Sequence, residues 1–135
     1  MLDVGTGSGV LAIAARKLGA KRVVGVDNDP IALAVAKENA LANGATQLEL
    51  TNGSVQNVDG CYDLVVANIL ASTLVELAPA LARVTRDRLV LAGILLGQQQ
   101  EVTRAQARHG LTVHNVKRRG EWLRLDFRRV SRLNE

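Results

Sequence analysis

Residues 1–9 read MLDVGTGSG, a short apolar stretch that runs directly into three closely spaced glycines. The apolar stretch predicts a buried strand, and residues 10–18 predict a helix that is apolar nearly all round and is pressed on a sheet. Glycines between a strand and a helix let the backbone approach a ligand, and the helix directs unpaired N–H groups toward it. This order of elements indicates a site for a bound nucleoside.

The spacing of the glycines narrows the choice of nucleoside. Dinucleotide-binding loops carry G-x-G-x-x-G, whereas Gly5, Gly7 and Gly9 are spaced G-x-G-x-G and Val10 stands at the place of the last glycine. A nicotinamide or flavin cofactor is therefore disfavoured. No Gly-Lys-Ser/Thr follows, so the stretch is not a phosphate-binding P-loop.

Composition indicates one globular domain over residues 1–135. The chain is 47% hydrophobic, and no apolar stretch approaches the roughly 20 residues that cross a membrane. The start lacks the basic segment of a secretory signal, so we expect a cytoplasmic protein that does not contact membranes. Cys61 is the single cysteine, which excludes a disulfide within the chain and a cysteine-rich zinc site, and we expect no metal.

The net charge of +4 is concentrated at the carboxyl end, where residues 101–135 hold nine Lys or Arg against four acids. Such a segment could meet nucleic acid or an acidic protein. The chain has only Tyr62, Trp122 and Phe127 for base stacking, however, so a solvated basic face is the preferred interpretation.

Apolar runs alternate with helical segments along the chain, which is typical of βαβ units around a mostly parallel sheet. Asp29 and Pro30 predict the start of the second helix, and Thr73 with Glu76 has the spacing of a capping box for the third, with a kink or restart at Pro79. We predict strands before Gly5 and at 23–26, 48–51, 64–67, 88–95, 111–117 and 121–129, and helices at 10–18, 30–43, after 73, and at 98–109. Residues 85–88 are predicted as a turn, and the last two strands as an antiparallel hairpin.

The carboxyl ends of the central strands are where an open α/β sheet binds its ligand. Asp27 closes the second strand, 18 residues after Gly9, and its carboxylate could accept hydrogen bonds from both hydroxyls of a ribose. The alternative is an acid that only favours the amino end of the next helix.

With its glycine loop, the chain resembles class I S-adenosylmethionine-dependent methyltransferases. Three further strings make the resemblance more specific: VANIL (residues 66–70), GIL (93–95) and GEW (120–122). In these strings the chain is similar to the bacterial methyltransferases of large-subunit ribosomal protein L11. The resemblance implies a Rossmann-like α/β fold with a mostly parallel seven-stranded sheet, a C-terminal antiparallel hairpin and helices on both faces. It also implies methyl transfer from S-adenosylmethionine to lysine side chains and the N-terminal amine of that ribosomal protein. Family members begin with a separate recognition domain, so relative to them the chain is truncated at its amino end.

Several cofactor contacts follow from the resemblance alone. It places the glycine-loop residues Gly5, Thr6, Gly7 and Gly9 against the cofactor and directs Asp3 toward the methionine amino group, unless Asp3 is a buried structural acid. It also places residues 52–54 around the adenine, although Asn-Gly is a common turn as well. These three residues are Asn52, Gly53 and Ser54.

The string Asn68-Ile69-Leu70 distinguishes best between methyltransferases that act on different acceptors. Methyltransferases of planar amides and base amines carry Asn-Pro-Pro-Tyr or a close variant here, and this chain has neither the prolines nor the ring. A flexible aliphatic amine needs an acceptor that aims its lone pair and a dry site that favours its neutral form. Asn68 fits as that orienting catalytic residue and as a cofactor neighbour, the alternative being a loop residue bonded to its own backbone. His109 and His114 are expected away from the chemistry. Trp122 is expected in the core, the alternative being that it supports the pocket from the hairpin.

Three functions remain open on the sequence. The first is a methyltransferase of protein amines whose partner is a large-subunit ribosomal protein. The second is a noncatalytic or partner-dependent module that binds S-adenosylmethionine. The third is a methyltransferase of RNA or a small molecule, which the basic end favours and the scarcity of aromatic residues opposes, so nucleic acid is not the expected substrate. The oligomeric state is left open.

Overall fold

The computed structural model describes residues 1–130, within which seven strands form one sheet. Residues 131–135, the end of the predicted domain and of its basic segment, lie outside the described part. The strands are β1 (Leu2–Val4), β2 (Val24–Asp27), β3 (Glu49–Asn52), β4 (Tyr62–Asn68), β5 (Thr85–Leu95), β6 (Leu111–Arg119) and β7 (Trp122–Arg129). The helices are α1 (Val10–Lys17), α2 (Pro30–Ala42), α3 (Ala71–Glu76), α4 (Ala78–Val84) and α5 (Gln99–Ala107).

The strand order is β3-β2-β1-β4-β5-β7-β6. Strands β1 to β5 pair in parallel, whereas β7 pairs antiparallel with both β5 and β6, so the predicted mixed sheet and terminal hairpin are confirmed. Helices α1 and α2 contact each other and β1 to β3, while α3, α4 and α5 form a second group over β4 to β6. The order reverses between β1 and β4, and this opens a crevice at their carboxyl ends.

The main core lies between the sheet and the second group of helices. Strand β7 contributes Leu123, Leu125 and Phe127, which are buried at alternate positions as a half-buried strand requires. A smaller cluster around Ile13 and Ala40 joins α1 to α2. The described residues include no helix that is long and apolar enough to cross a membrane.

The start of the second helix was predicted from its cap. Asp29 accepts a hydrogen bond from the Ile31 amide at 2.9 Å, and Pro30 occupies the first helical position, where its missing N–H costs nothing. The restart at Pro79 is also confirmed, because α4 begins at Ala78 directly after Leu77.

Helix α1 packs on the sheet as predicted, but it buries only Ala12 and Ile13 and leaves Val10 67% exposed, because it covers the sheet with one side. Three sequence expectations were wrong. The predicted capping box fails because α3 begins after Leu70, which places Thr73 and Glu76 inside the helix.

The other two concern the hairpin side of the sheet. The predicted turn at 85–88 is the start of β5, where Thr85 pairs with Tyr62 and Arg88 pairs with both Leu64 and Arg128. Trp122 is 55% exposed and not in the core, because it points to the side of β7 opposite Leu123.

Candidate functional site

The glycine loop is fixed to the neighbouring strand by backbone hydrogen bonds. The amides of Gly5 and Thr6 both donate to the carbonyl of Val26 at 2.9 Å, so the loop folds over the end of β2. Gly5 has φ +71°, and a β-carbon at this position would lie 2.6 Å from Ile69 Cγ2. Only glycine therefore fits between the end of β2 and the residues that follow β4.

Asp27 joins the glycine loop to the second helix. Its Oδ2 accepts the Gly7 amide at 2.9 Å, and its Oδ1 accepts the Asp29 amide at 3.0 Å. The carboxylate is half-buried, and each oxygen keeps a lone pair for another donor. The backbone therefore aims two acceptor oxygens into the crevice.

These residues border a cleft of about 380 Å³ between the loop and α3, here called the glycine-loop cleft. From the predicted site, the structure brings Gly5, Asp27, Gly53 and Ser54 to its wall. Gly53 is tied to β2 by its amide, which donates to the Asp27 carbonyl at 3.0 Å, and Ser54 caps the short helical turn of residues 55–57. The wall also includes Val4, Val26, Asn28, Val55, Ile69, Leu70, Thr73 and Leu77.

The other predicted loop residues stand behind this wall. Asp3 is 2% exposed and accepts a hydrogen bond from the Thr6 hydroxyl at 2.8 Å. Burial raises the pKa of the Asp3 carboxyl above its usual range, and the hydrogen bonds from Thr6 and the Ala12 backbone oppose part of that rise. Gly9 is the N-cap of α1, has φ +83° and lies against Ala36. The Gly7 amide donates its hydrogen bond to the Asp27 carboxylate.

Asn52 is the last residue of β3. It lines a small pocket of about 230 Å³ with Tyr62 and Arg22, which Gly53 and Ser54 also border, and it does not line the glycine-loop cleft. The three residues predicted around the adenine thus meet at this pocket, and Gly53 and Ser54 also border the glycine-loop cleft.

Asn68 ends β4 and lines a second, larger cleft of about 1040 Å³, here called the hairpin cleft. Ile69 and Leu70 line both clefts, so the two cavities share a wall. The remaining lining comes from Ala92 and Gly93 of β5 and from Lys117, Arg118, Arg119, Trp122, Leu123 and Arg124 of the hairpin.

Sequence reasoning missed several members of these walls. Asn28 could have been found, because it directly follows Asp27 at a strand end. Thr73 lies in α3 and Leu77 directly follows it, and nothing in their spacing signals that they line the cleft. His109 lies in a different cavity, with Cys61 and Arg108, and does not line either cleft. Among residues 1–130, no group of three or more His, Cys, Asp or Glu could hold a metal ion.

The sequence of this two-cleft domain matches a known protein family. The model of the ribosomal protein L11 methyltransferase family, PrmA, matches residues 1–130. The chain belongs to the ribosomal protein L11 methyltransferase family. A family member from Myxococcus xanthus is 53% identical to it over 129 residues, which are 96% of this chain and 45% of the relative. The chain thus spans about half the length of the curated relatives that it matches.

Solved structures give the same fold. A crystal structure of ribosomal protein L11 methylase from Lactobacillus delbrueckii superposes with a TM-score of 0.93 at 38% identity, over 96% of this chain and 69% of that one. A magnesium protoporphyrin IX methyltransferase from Synechocystis, solved with bound S-adenosylmethionine, has a TM-score of 0.82 at 20% identity, over 96% of this chain and 69% of that one. At that identity the likeness concerns the fold.

Proposed function

We propose that this chain is the methyl-transfer part of an L11 methyltransferase and that it acts on lysine side chains and the N-terminal amine of ribosomal protein L11. Membership of the family is the observation that carries this proposal. Two clefts that share Ile69 and Leu70 support it, since a cofactor in one would lie beside an acceptor in the other. A substrate of this kind places the activity in the cytoplasm.

The glycine-loop cleft fits S-adenosylmethionine by its chemistry. The Asp27 oxygens, held by the Gly7 and Asp29 amides, would accept the two ribose hydroxyls. Gly53 and Ser54 would face the adenine, and Asp3 would act on the methionine amino group from behind the loop. When bound, the cofactor supplies an electrophilic methyl group on a sulfonium sulfur.

The chain itself contributes position and desolvation. Asn68 lies at the end of β4 beside both shared wall residues, where its side-chain oxygen can accept a hydrogen bond from an incoming amine and aim the lone pair. The amine must be neutral before it attacks, and water can take its proton. This mechanism requires no metal, no general base and no covalent intermediate on the protein.

Calorimetric titration with S-adenosylhomocysteine tests the cofactor, with NADH as the control ligand. Saturable binding of S-adenosylhomocysteine alone is expected. Asp27→Ala should weaken it by about 2–4 kcal/mol, because two charge-assisted hydrogen bonds are lost. Asp29→Ala is the matched control, since it removes a helix cap worth about 1 kcal/mol of stability but no cleft residue. Unchanged binding by Asp27→Ala would refute the placement of the ribose.

Transfer of a labelled methyl group tests the substrate. Purified L11 from Myxococcus xanthus should be labelled, and L11 with its amines already blocked by acetylation should not. Because the chain spans 45% of that relative, a cofactor-binding module that needs further residues is the second candidate. It predicts binding of S-adenosylhomocysteine without labelling of L11.

A further inference from the structure

Four cations line the hairpin cleft, and together they are called the basic rim here: Lys117, Arg118, Arg119 and Arg124. No acid is found among the lining residues in the part of the chain that the structure describes. The hairpin itself holds two acids, Glu121 in its turn and Asp126 in β7.

The strand register sets one pair of rim charges against each other. Lys117 lies directly opposite Arg124, and Arg119 lies opposite Trp122, so these four side chains share one face of the hairpin, whereas Arg118 pairs with Leu123 on the other face. Like charges at directly opposed positions destabilise a strand pair. The hairpin therefore concentrates positive charge beside the cleft at a cost to its own stability.

Asp126 offsets only part of this charge. Its oxygens accept Arg124 Nε at 2.9 Å and Arg124 Nη2 at 3.0 Å. Arg118 Nε donates to the Gly120 carbonyl at 2.8 Å, a contact that leaves its charge uncompensated. Within residues 1–130, no carboxylate lies within salt-bridge distance of Lys117 or Arg119.

We propose that the basic rim holds an acceptor amine in its neutral, nucleophilic form inside the hairpin cleft. This inference rests on the proposed function, which brings amines to this cleft. Positive charges nearby disfavour an ammonium ion and leave the neutral amine unaffected. The ammonium gives its proton to water, and the nitrogen keeps the electron pair. Asn68 then aims the lone pair that the rim has freed.

A cysteine placed in the cleft measures this effect without any enzymatic turnover. Leu70 is 72% exposed and lines the cleft, so Leu70→Cys introduces a reachable thiol, and Cys61→Ser removes the native one. Positive charge favours the deprotonated form of a thiol as it does of an amine. The rate of alkylation by iodoacetamide as a function of pH gives the pKa of the introduced thiol.

The expected result is a rise in that thiol pKa when rim charges are removed. In the Leu70→Cys, Cys61→Ser background, Lys117→Gln with Arg119→Gln should raise it by roughly half a unit to one unit, and 0.5 M salt should shrink the difference. Lys21→Gln with Arg108→Gln is the matched control, because it removes the same charge outside the cleft. Asp27, the acid of the neighbouring cleft, and the first residues of α3 are the same in all variants. They therefore do not contribute to the difference in thiol pKa between variants. A rise no larger than that of the control pair would overturn the proposal.

The pH dependence of methyl transfer gives the second readout. With L11 as acceptor, the rising limb of kcat/KM should move to higher pH in the Lys117→Gln, Arg119→Gln variant, with a smaller loss of rate at high pH than at neutral pH. An equal loss at every pH would refute the proposal. Absence of transfer in every variant would refute the proposed function alone, because the thiol titration judges the rim independently.

Discussion

The backbone of Gly93 lies against the side chain of Asn68 so closely that a β-carbon on Gly93 would stand 2.7 Å from Asn68 Oδ1. Gly93 has φ +78° and sits where the pairing of β5 with β7 shifts register between Leu91 and Ile94. The irregularity in β5 thus makes room for the side chain that we propose to orient the acceptor amine.

Gly93→Ala should therefore slow methyl transfer by at least tenfold while leaving S-adenosylhomocysteine binding nearly unchanged. The added carbon displaces Asn68 and also comes within 3.2 Å of the Ile69 carbonyl, and the positive φ should reduce stability by at least about 1 kcal/mol. Single-turnover kinetics and calorimetry measure the two effects. Gly97→Ala is the control, since nothing lies within 4 Å of a β-carbon there. Equal rates for the two variants would show that Asn68 tolerates displacement.

Asn68→Ala should lower kcat by about 10²-fold, because orientation of the attacking lone pair is lost. The side chain lines the hairpin cleft and not the glycine-loop cleft, so the dissociation constant of S-adenosylhomocysteine should change by less than threefold. Unaltered turnover would remove Asn68 from the mechanism. Loss of cofactor binding would instead assign it to the neighbouring cleft.

The buried carboxyl of Asp3 should make stability depend on pH. Burial raises its pKa in the folded state, so the folded protein binds more protons than the unfolded chain between the ordinary pKa of 3.8 and the raised pKa. The contribution of Asp3 to the free energy of unfolding therefore falls as pH rises through that window and is constant above it. Replacing Asp3 with Asn removes this contribution.

The measurement is the free energy of unfolding in urea for Asp3→Asn and the parent protein from pH 3.5 upward. The value for Asp3→Asn minus that for the parent should increase with pH through the window and then level off. A difference that is constant with pH would show that Asp3 ionises equally easily in both states.

Trp122 and Phe127, on opposite sides of β7, should respond differently to truncation. Phe127 is fully buried, so Phe127→Ala should cost about 3–5 kcal/mol of stability. Trp122 is 55% exposed, so Trp122→Ala should cost less than about 1 kcal/mol and should act mainly on the KM for the acceptor, whose cleft it lines. Chemical denaturation of both variants tests this, and a large loss of stability for Trp122→Ala would contradict the exposure of its ring.

Most of the sheet could be predicted because its strands carry local signals. Asp29 and Pro30 cap α2 through contacts within three residues, and the alternation from Leu123 to Phe127 gives β7 its buried side. The wrong expectations depend on distant partners. Residues 85–88 look like a turn in isolation, yet they form a strand because Tyr62, Leu64 and Arg128 pair with them.

The site was only partly predictable for the same reason. Gly5, Asp27, Gly53 and Ser54 follow strand ends, and parallel strands bring their carboxyl ends together. Which side of a strand end a residue faces depends on packing across the sheet, and this separates Asn52 from the glycine-loop cleft. The cofactor role of each residue remains a prediction that the titrations above test.

Ile69 lines both clefts and lies against Gly5, so a ligand that displaces its side chain in one cleft also moves a wall of the other. Such a displacement would link the occupants of the two clefts thermodynamically. If the first ligand tightens binding of the second, the second must tighten binding of the first by the same factor. The size of that factor would then depend on one isoleucine side chain.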